Sequence, residues 1–174
     1  MCLRTKVLAH TEANSLTNQW TIMTRTLNKT FANHSVAWEG IYGYNQAVRV
    51  KDVIYVSGQL GHDNEGVLVA PAALDANGKP TDFSGMEQQM RQTYLNTIAL
   101  LAQFGATLDN VVEETLYVLD VDAAFEVAGK VRKAVYGNDL PQCASNLIGV
   151  SRLAFPQQLI EITFRAILPD DAAV

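Results

Sequence analysis

Ser57, Gly58 and Gln59 follow an apolar run of residues and are the first part of the chain whose residue types could shape a binding site. Gly58 has no Cβ, so its backbone can come close to a ligand, while Ser57 and Gln59 offer hydrogen-bonding side chains beside it. Most Ser-Gly pairs are nevertheless only turns. The stretch predicts a pocket wall and does not by itself assign a reaction.

The element that would hold this wall is a β-hairpin. Two short β-type runs, residues 48–50 and 53–56, flank the polar pair Lys51 and Asp52, which have the spacing and the types of a hairpin turn. The second run leads directly into Ser57. A strand that ends in small polar residues is therefore expected to present them at the edge of a sheet.

Two amphipathic helices are predicted further along the chain. Ser84 and Glu87 have the pattern of a capping box, and the apolar stripe that follows runs to Gly105. Asp122 is the predicted N-cap of a second helix, which ends before Gly137. Further strands are predicted over residues 111–119, 146–150 and 159–168.

This order of strand, strand, helix, strand, helix, strand, strand predicts an α+β fold with a mixed sheet and both helices on one face. In the last strand one set of residues should meet the helices and the alternate set should face away. The inward set is Ile160, Ile162, Phe164 and Ala166, and the outward set is Glu161, Thr163 and Arg165. Residues 53–56 and 147–148 are apolar on both faces, so we expect a second copy of the chain to cover the open face.

The composition limits what the protein can do. The chain has 174 residues, 48% hydrophobic and 18% charged, which fits one globular domain with a proper core. A net charge of −5 argues against nucleic acid as a partner, because binding to a phosphate backbone needs clustered cations. No apolar run approaches the roughly 20 residues of a membrane span, and the N-terminus lacks a secretion signal. We therefore expect a cytoplasmic protein without membrane partners.

Cysteine use predicts neither a disulfide framework nor a metal site. Cys2 and Cys143 lie far apart, and no His stands near either at metal-ligand spacing. Residues 1–35 are rich in Ser, Thr and Asn without a sustained period, so we expect a poorly ordered or peripheral extension. The domain is expected over residues 36–168, followed by a frayed tail at 169–174.

Six motifs, in their order and spacing, resemble the reactive intermediate deaminase family, also called Rid or YjgF. They are G-Y-N-Q-A-V from Gly43, V-S-G-Q from Val56, M-R-Q-T-Y-L-N from Met90, F-G-A-T-L-D-N-V-V from Phe104, T-L-Y-V-L-D from Thr115 and L-I-E-I from Leu159. The resemblance implies a chorismate-mutase-like fold and a homotrimer with clefts between neighbouring subunits. It also implies hydrolysis of 2-imino acids, or their enamine tautomers, to 2-oxo acids and ammonia, without a metal or organic cofactor.

The resemblance assigns roles to individual residues. Glu161 matches the family Glu, which would hold and polarise the attacking water, and Tyr44 matches a Tyr that borders the cleft. Ser57 and Gly58 match the turn that lines the pocket. An iminium carbon is already electrophilic, so the water needs only positioning and removal of a proton.

One part of the family pattern is missing. The family branch known for imine hydrolysis carries P-A-R-S-C, whose Arg clamps the substrate carboxylate, whereas this chain reads P-Q-C-A-S-N-L from Pro141 and places Ser145 at the position of that Arg. Losing a charged hydrogen bond of this kind costs about 1.5–3 kcal/mol. Arg152 or Arg165 could replace it, from the same or a neighbouring chain. Alternatively, Ser145 and Asn146 could bind a neutral ligand.

Simpler interpretations stand beside these roles. Glu161 on an alternating strand could be a solvated carboxylate, Tyr44 could be a packing residue, and Ser145 and Asn146 could belong to a turn. His62 and Asp63 resemble a catalytic pair, but adjacent residues on an extended segment point apart. The leading hypothesis is a hydrolase of small imines or enamines. The alternative is a non-catalytic protein that binds a small metabolite in the same cleft, and a ribonuclease ranks last because the chain is acidic.

Overall fold

The protein is built around one mixed sheet, seen in a computed structural model that describes residues 26–169. The strands are β1 (Thr30–Ala32), β2 (Ala47–Val50), β3 (Val53–Gln59), β4 (Val111–Val118), β5 (Ala144–Gly149) and β6 (Ile160–Ile167), and the helices are α1 (Ala37–Tyr42), α2 (Met86–Ala102) and α3 (Val121–Tyr136). The strand order is β1-β2-β3-β6-β4-β5. The β4–β5 pair is parallel and the other pairs are antiparallel.

The expected α+β architecture is confirmed, with α2 and α3 packed on one face of the sheet. The alternation predicted for β6 is also confirmed, since Ile160, Ile162 and Ala166 are each 0% exposed beneath the helices. Tyr94 of α2 and Leu116 of β4 join the same core. Burying these side chains is the main contribution to stability, at about 1.5–3 kcal/mol for each large apolar one.

The sheet begins earlier than predicted. Strand β1, Thr30–Ala32, pairs with β2 through Phe31 and Val48, although it lies within the predicted extension. A three-residue strand is too short to show a period of two, which is why the sequence pattern missed it. Residues 1–25 of that extension, and 170–174 of the predicted tail, lie outside the described residues.

The predicted helix caps were only partly right. Gly85 rather than Ser84 is the N-cap of α2, because the Ser84 hydroxyl donates to Asp82 at 2.8 Å instead. The prediction of Asp122 as a cap is also wrong, since Asp120 caps α3 by accepting from the Ala123 N–H at 2.8 Å. Gly137 ends α3 in the left-handed region with φ 62, as predicted.

The long segment between β3 and α2 packs tightly onto the domain. Gln89 of α2 is 0% exposed and donates to the carbonyl oxygens of Ala70 and Gln157, while its own oxygen accepts from the Leu159 N–H. This side chain therefore fixes the segment and the approach to β6. Within residues 26–169, no helix has the length and apolar content needed to cross a bilayer.

Candidate functional site

Glu161 lies at the start of β6, on the sheet face opposite α2 and α3, and its carboxylate passes over Gly58 of β3. A Cβ on Gly58 would stand 2.0 Å from Glu161 Oε1 and 2.5 Å from the carboxyl carbon, so a side chain there would displace the carboxylate. The β3–β6 pairing shifts register between Val56 and Gln59, which is the irregularity that brings Gly58 under the carboxylate.

Gln158 holds the carboxylate in place and was missed by the sequence analysis. Its side chain is 0% exposed, and its Nε2 donates to Glu161 Oε2 at 3.2 Å and to the Ile160 carbonyl at 3.1 Å. Its oxygen accepts from the Phe155 N–H at 3.3 Å. One oxygen of Glu161 is thus oriented by the protein, while Oε1 accepts no hydrogen bond from residues 26–169.

The polar residues beside Gly58 form a connected network. The Ser57 hydroxyl donates to the Gln46 carbonyl at 2.9 Å, and Gln59, which is 1% exposed, donates through Nε2 to Gln46 Oε1 at 2.9 Å. His34 Nε2 lies 3.2 Å from Gln59 Oε1. These contacts fix the end of β3, so the position of Gly58 relative to Glu161 is rigidly defined.

Tyr44 is half-buried on the same side as Glu161. Burial raises the pKa of Tyr44, and the charges of Glu39 and Glu161 act in the same direction, against the opposing effect of the Trp38 indole and the Gln46 side chain. The phenol therefore stays protonated at neutral pH and can donate a proton or a hydrogen bond. The structure thus brings Ser57, Gly58 and Glu161 together, with Tyr44 close enough for the charge of Glu161 to act on it.

Aromatic residues enclose this region. The Trp38 ring, from the short helix α1 that the sequence analysis did not predict, lies 5.7 Å from Phe155 and 5.1 Å from His62. His62 Nδ1 lies 2.7 Å from the backbone oxygen of Asp63, whereas the Asp63 carboxylate accepts from the loop backbone. The expectation that His62 and Asp63 do not form a catalytic pair is therefore confirmed.

The structure does not bring Ser145 to Glu161. Ser145 lies on the helix-covered face of β5, and its hydroxyl donates to Glu114 Oε1 at 2.9 Å. Glu114 is 0% exposed and also accepts from the hydroxyls of Tyr94 and Tyr136 and from Arg132 Nε. Ser145 shares its face with Leu147, two residues on, and the period of two was the signal that would have placed it there.

Asn146 lies on the open face, but not beside Glu161 in the same chain. It pairs with Thr115 of β4, to whose Oγ1 its amide donates at 3.4 Å, whereas Glu161 pairs with Tyr117. Asn146 therefore lies two strands from Glu161, with β4 between them, and is offset by two residues along the strands.

Neither candidate arginine stands next to Glu161. Arg165 lies four residues further along β6, which is about 13 Å from Glu161 at the rise per residue of a β-strand. Its guanidinium forms an ion pair with Glu113 at 3.1 Å and lies over the Tyr55 ring, 5.6 Å from the ring centroid. Arg152 is exposed on the loop between β5 and β6. Among the described residues no ion pair involves Glu161, and no group of three acidic, His or Cys side chains could hold a metal ion.

Comparison of the sequence with known proteins identifies a family and several relatives. The sequence model of the family described as Endoribonuclease L-PSP matches residues 34–168. A RutC family protein of Saccharolobus solfataricus is 34% identical over 121 residues, which cover 69% of this chain and 82% of the relative. The 2-iminobutanoate/2-iminopropanoate deaminase of Rattus norvegicus is 29% identical over 111 residues, 64% of this chain and 72% of that protein.

Solved structures show the same fold. A protein of the Rid family from Yersinia pestis superposes with a TM-score of 0.63 at 26% identity, covering 81% of this chain and 100% of that one. RidA from a Psychrobacter species superposes with a TM-score of 0.59 at 27% identity, covering 72% and 88%. The fold of this chain is therefore shared with these proteins.

Proposed function

Because the chain belongs to the YjgF/Rid family, described as Endoribonuclease L-PSP, we propose that it hydrolyses small imines or enamines to a carbonyl compound and ammonia. The single observation that supports this most is the Glu161 carboxylate, held by Gln158 over Gly58 with one oxygen not engaged by the described residues. Relatives named 2-iminobutanoate/2-iminopropanoate deaminase give the reaction class.

Imine hydrolysis needs few catalytic groups. Glu161 would accept a proton from a water molecule as the water oxygen bonds to the carbon of the C=N group. That proton would pass to nitrogen, with the neutral Tyr44 phenol as a relay in reach of the cleft, and this gives a carbinolamine. The carbinolamine hydroxyl would then give its proton to Glu161, which passes it to nitrogen as the C–N bond breaks, so that ammonia leaves and the new oxygen becomes a carbonyl.

We further propose that the working form is a homotrimer, with the cleft completed by a neighbouring chain. The open face of the sheet carries the half-exposed Tyr55 and a cleft of about 290 Å³ between β3, β4 and β6. Asn146 and Arg165 also lie on this face. A neighbouring copy could place either of them near Glu161, which a single chain does not do. A cytoplasmic location stays a prediction.

One observation favours the second candidate, a binding protein without turnover. Within residues 26–169 no guanidinium approaches Glu161, so the clamp that the resemblance implies for the substrate carboxylate is absent from the single chain. A neutral or weakly polar ligand would suit such a cleft better than an imino acid. Release of ammonia separates the two functions, because only the enzyme produces it.

The test generates imines in place by an amino-acid oxidase acting on several amino acids and follows ammonia and 2-oxo acid formation. We expect acceleration over buffer, and a loss of at least 100-fold in Glu161→Gln, since general base catalysis is worth about 100- to 10,000-fold. Glu126→Gln, an equivalent change on the exposed face of α3, should retain full activity. No acceleration with any side chain would favour the binding protein.

A further inference from the structure

We propose that a second cleft of this protein binds a small organic carboxylate. The cleft has a volume of about 290 Å³ and lies between the loop that follows β5 and a hairpin of the segment between β3 and α2. Lys79 and Pro80 line it from the hairpin, Ser151, Arg152 and Phe155 line it from the loop, and Leu119 lines it from the end of β4.

The hairpin wall is preorganised. The Asp75 carboxylate accepts from the N–H groups of Asn77 and Lys79 at 2.8 and 2.9 Å, and the Asp75 N–H donates to the Lys79 carbonyl at 2.8 Å. Gly78 takes a φ of +74, which the tight turn requires. Lys79 is therefore held on a rigid turn, so little conformational entropy of the backbone would be lost on binding.

The loop wall is fixed from both ends. The Val150 N–H donates to the Val118 carbonyl at 2.9 Å, and the Phe155 N–H donates to the buried Gln158 side chain at 3.3 Å. Gln157 accepts from the Ala72 N–H at 3.1 Å, which ties the loop to the segment before α2. Both walls of the cleft thus exist before any ligand arrives.

The charges on the walls select an anion. Lys79 and Arg152 are both exposed, and within residues 26–169 neither forms an ion pair. The Asp75 carboxylate on the same hairpin accepts backbone N–H groups at Oδ1 and forms no ion pair with the Lys79 ammonium. Lys79 and Arg152 both line the one cleft, and a guanidinium is suited to a two-oxygen anion.

The remaining lining limits the size and shape of the ligand. Leu119, Leu153, Phe155 and Pro156 present apolar surface to the same cleft. A cleft at the small end of the range for ligand sites holds a molecule of several heavy atoms rather than a nucleotide. A short aliphatic or aromatic carboxylate satisfies both the charge and the apolar wall, whereas inorganic phosphate would satisfy only the charge.

This cleft is linked to Glu161 by direct contacts. Phe155 forms its wall, and the Phe155 backbone contacts Gln158, whose amide donates to Glu161. The Phe155 ring also packs against the Trp38 ring, with the two ring centroids 5.7 Å apart. A carboxylate in the cleft would therefore rest on the residues that position the Glu161 side chain, although the binding itself does not depend on Glu161 being catalytic.

Calorimetric titration of the purified protein with benzoate and with 2-oxobutanoate tests the proposal. Saturable binding of one or both is expected, with affinity reduced at least tenfold in Lys79→Gln/Arg152→Gln. The matched double variant Lys29→Gln/Lys133→Gln, which removes two exposed lysines elsewhere, should bind as the wild type does. Benzyl alcohol, which lacks the carboxylate, should not bind.

Three results would overturn the proposal: no saturation by either carboxylate, equal loss of affinity in both double variants, or loss of binding in Glu161→Gln. The last result would mean that the anion occupies the Glu161 cleft instead. Because the experiment measures binding, its result does not depend on whether the protein hydrolyses imines. Crystals of the wild-type protein soaked in benzoate locate the ligand without any variant. Density for benzoate beside Arg152 is expected, and density only beside Glu161 would contradict the proposal.

Discussion

At the scale of single residues, the site depends on a glycine, Gly58, at a position where no side chain stands in the way of Glu161. Glu161 can cross the neighbouring strand only because Gly58 has no Cβ, and the buried Gln158 amide then fixes one of its oxygens. The carboxylate is thereby kept in a defined place on an otherwise open sheet face. This preorganisation is what separates it from the solvated carboxylate that an alternating strand would present by default.

We expect Gly58→Ala to reduce imine hydrolysis at least tenfold while leaving the fold intact. The new methyl group would stand 2.0 Å from Glu161 Oε1, and the flexible carboxylate rather than the backbone would move. Steady-state kinetics give kcat/KM, and thermal unfolding checks the fold. Gly129→Ala in α3 is the control, because nothing lies within 4 Å of its new Cβ and helix propensity favours Ala by about 1 kcal/mol. Full activity in Gly58→Ala would show that the position of Glu161 is unimportant.

At the scale of elements, a buried polar cluster joins the strands β4 and β5 to the helices α2 and α3. Glu114 accepts from four side chains, one on α2, two on α3 and one on β5, which are Tyr94, Arg132, Tyr136 and Ser145. Burial raises the pKa of both tyrosines, and the charge of Glu114 adds to that effect, so both phenols remain donors. The cluster therefore fixes β5, which lies at the edge of the sheet and pairs with β4 alone among the described strands.

We expect Glu114→Ala to lower the free energy of unfolding by about 3 kcal/mol, because it leaves Arg132 and two phenols without their acceptor. Ser145→Ala should cost about 1 kcal/mol, the value of one hydrogen bond. Glu113→Ala changes the adjacent residue, whose half-exposed side chain pairs with Arg165 on the open face, and should cost less than about 1 kcal/mol. Urea denaturation measures all three. Equal costs for Glu113 and Glu114 would contradict the role given to burial.

The elements also show what the sequence could and could not predict. The alternation in β6 was readable because one face is uniformly apolar, and that alone placed Glu161 on the open face. Ser145 was assigned by its match to the position of the family Arg, and a match of sequence positions does not say which face of the strand the side chain takes. Asp120 and Asp122 both suit an N-cap, so only the backbone of the folded chain distinguishes them. Gln158 and Trp38 act through contacts between distant segments, which no local pattern records.

At the scale of the whole molecule, the two faces of the sheet differ. The face beneath α2 and α3 is closed, whereas on the other face Tyr55 is 49% exposed and Ile148 44% exposed. Thr115 and Thr163 pair at the centre of that open face. Apolar and small polar residues without a cover are typical of a surface that packs against another copy. The proposed trimer would also bring a second chain to Glu161.

We expect the wild-type chain, of 19.0 kDa, to sediment as a trimer in analytical ultracentrifugation. Thr163→Arg should yield monomers, because it places a cation without a partner at the centre of the face that the proposal buries between subunits. It should also abolish imine hydrolysis if a neighbouring chain completes the cleft. Gln88→Arg, an exposed position on α2, is the control and should leave both assembly and activity unchanged. A monomeric wild type that still hydrolyses imines would refute the shared cleft, and a trimeric Thr163→Arg would show that the interface lies elsewhere.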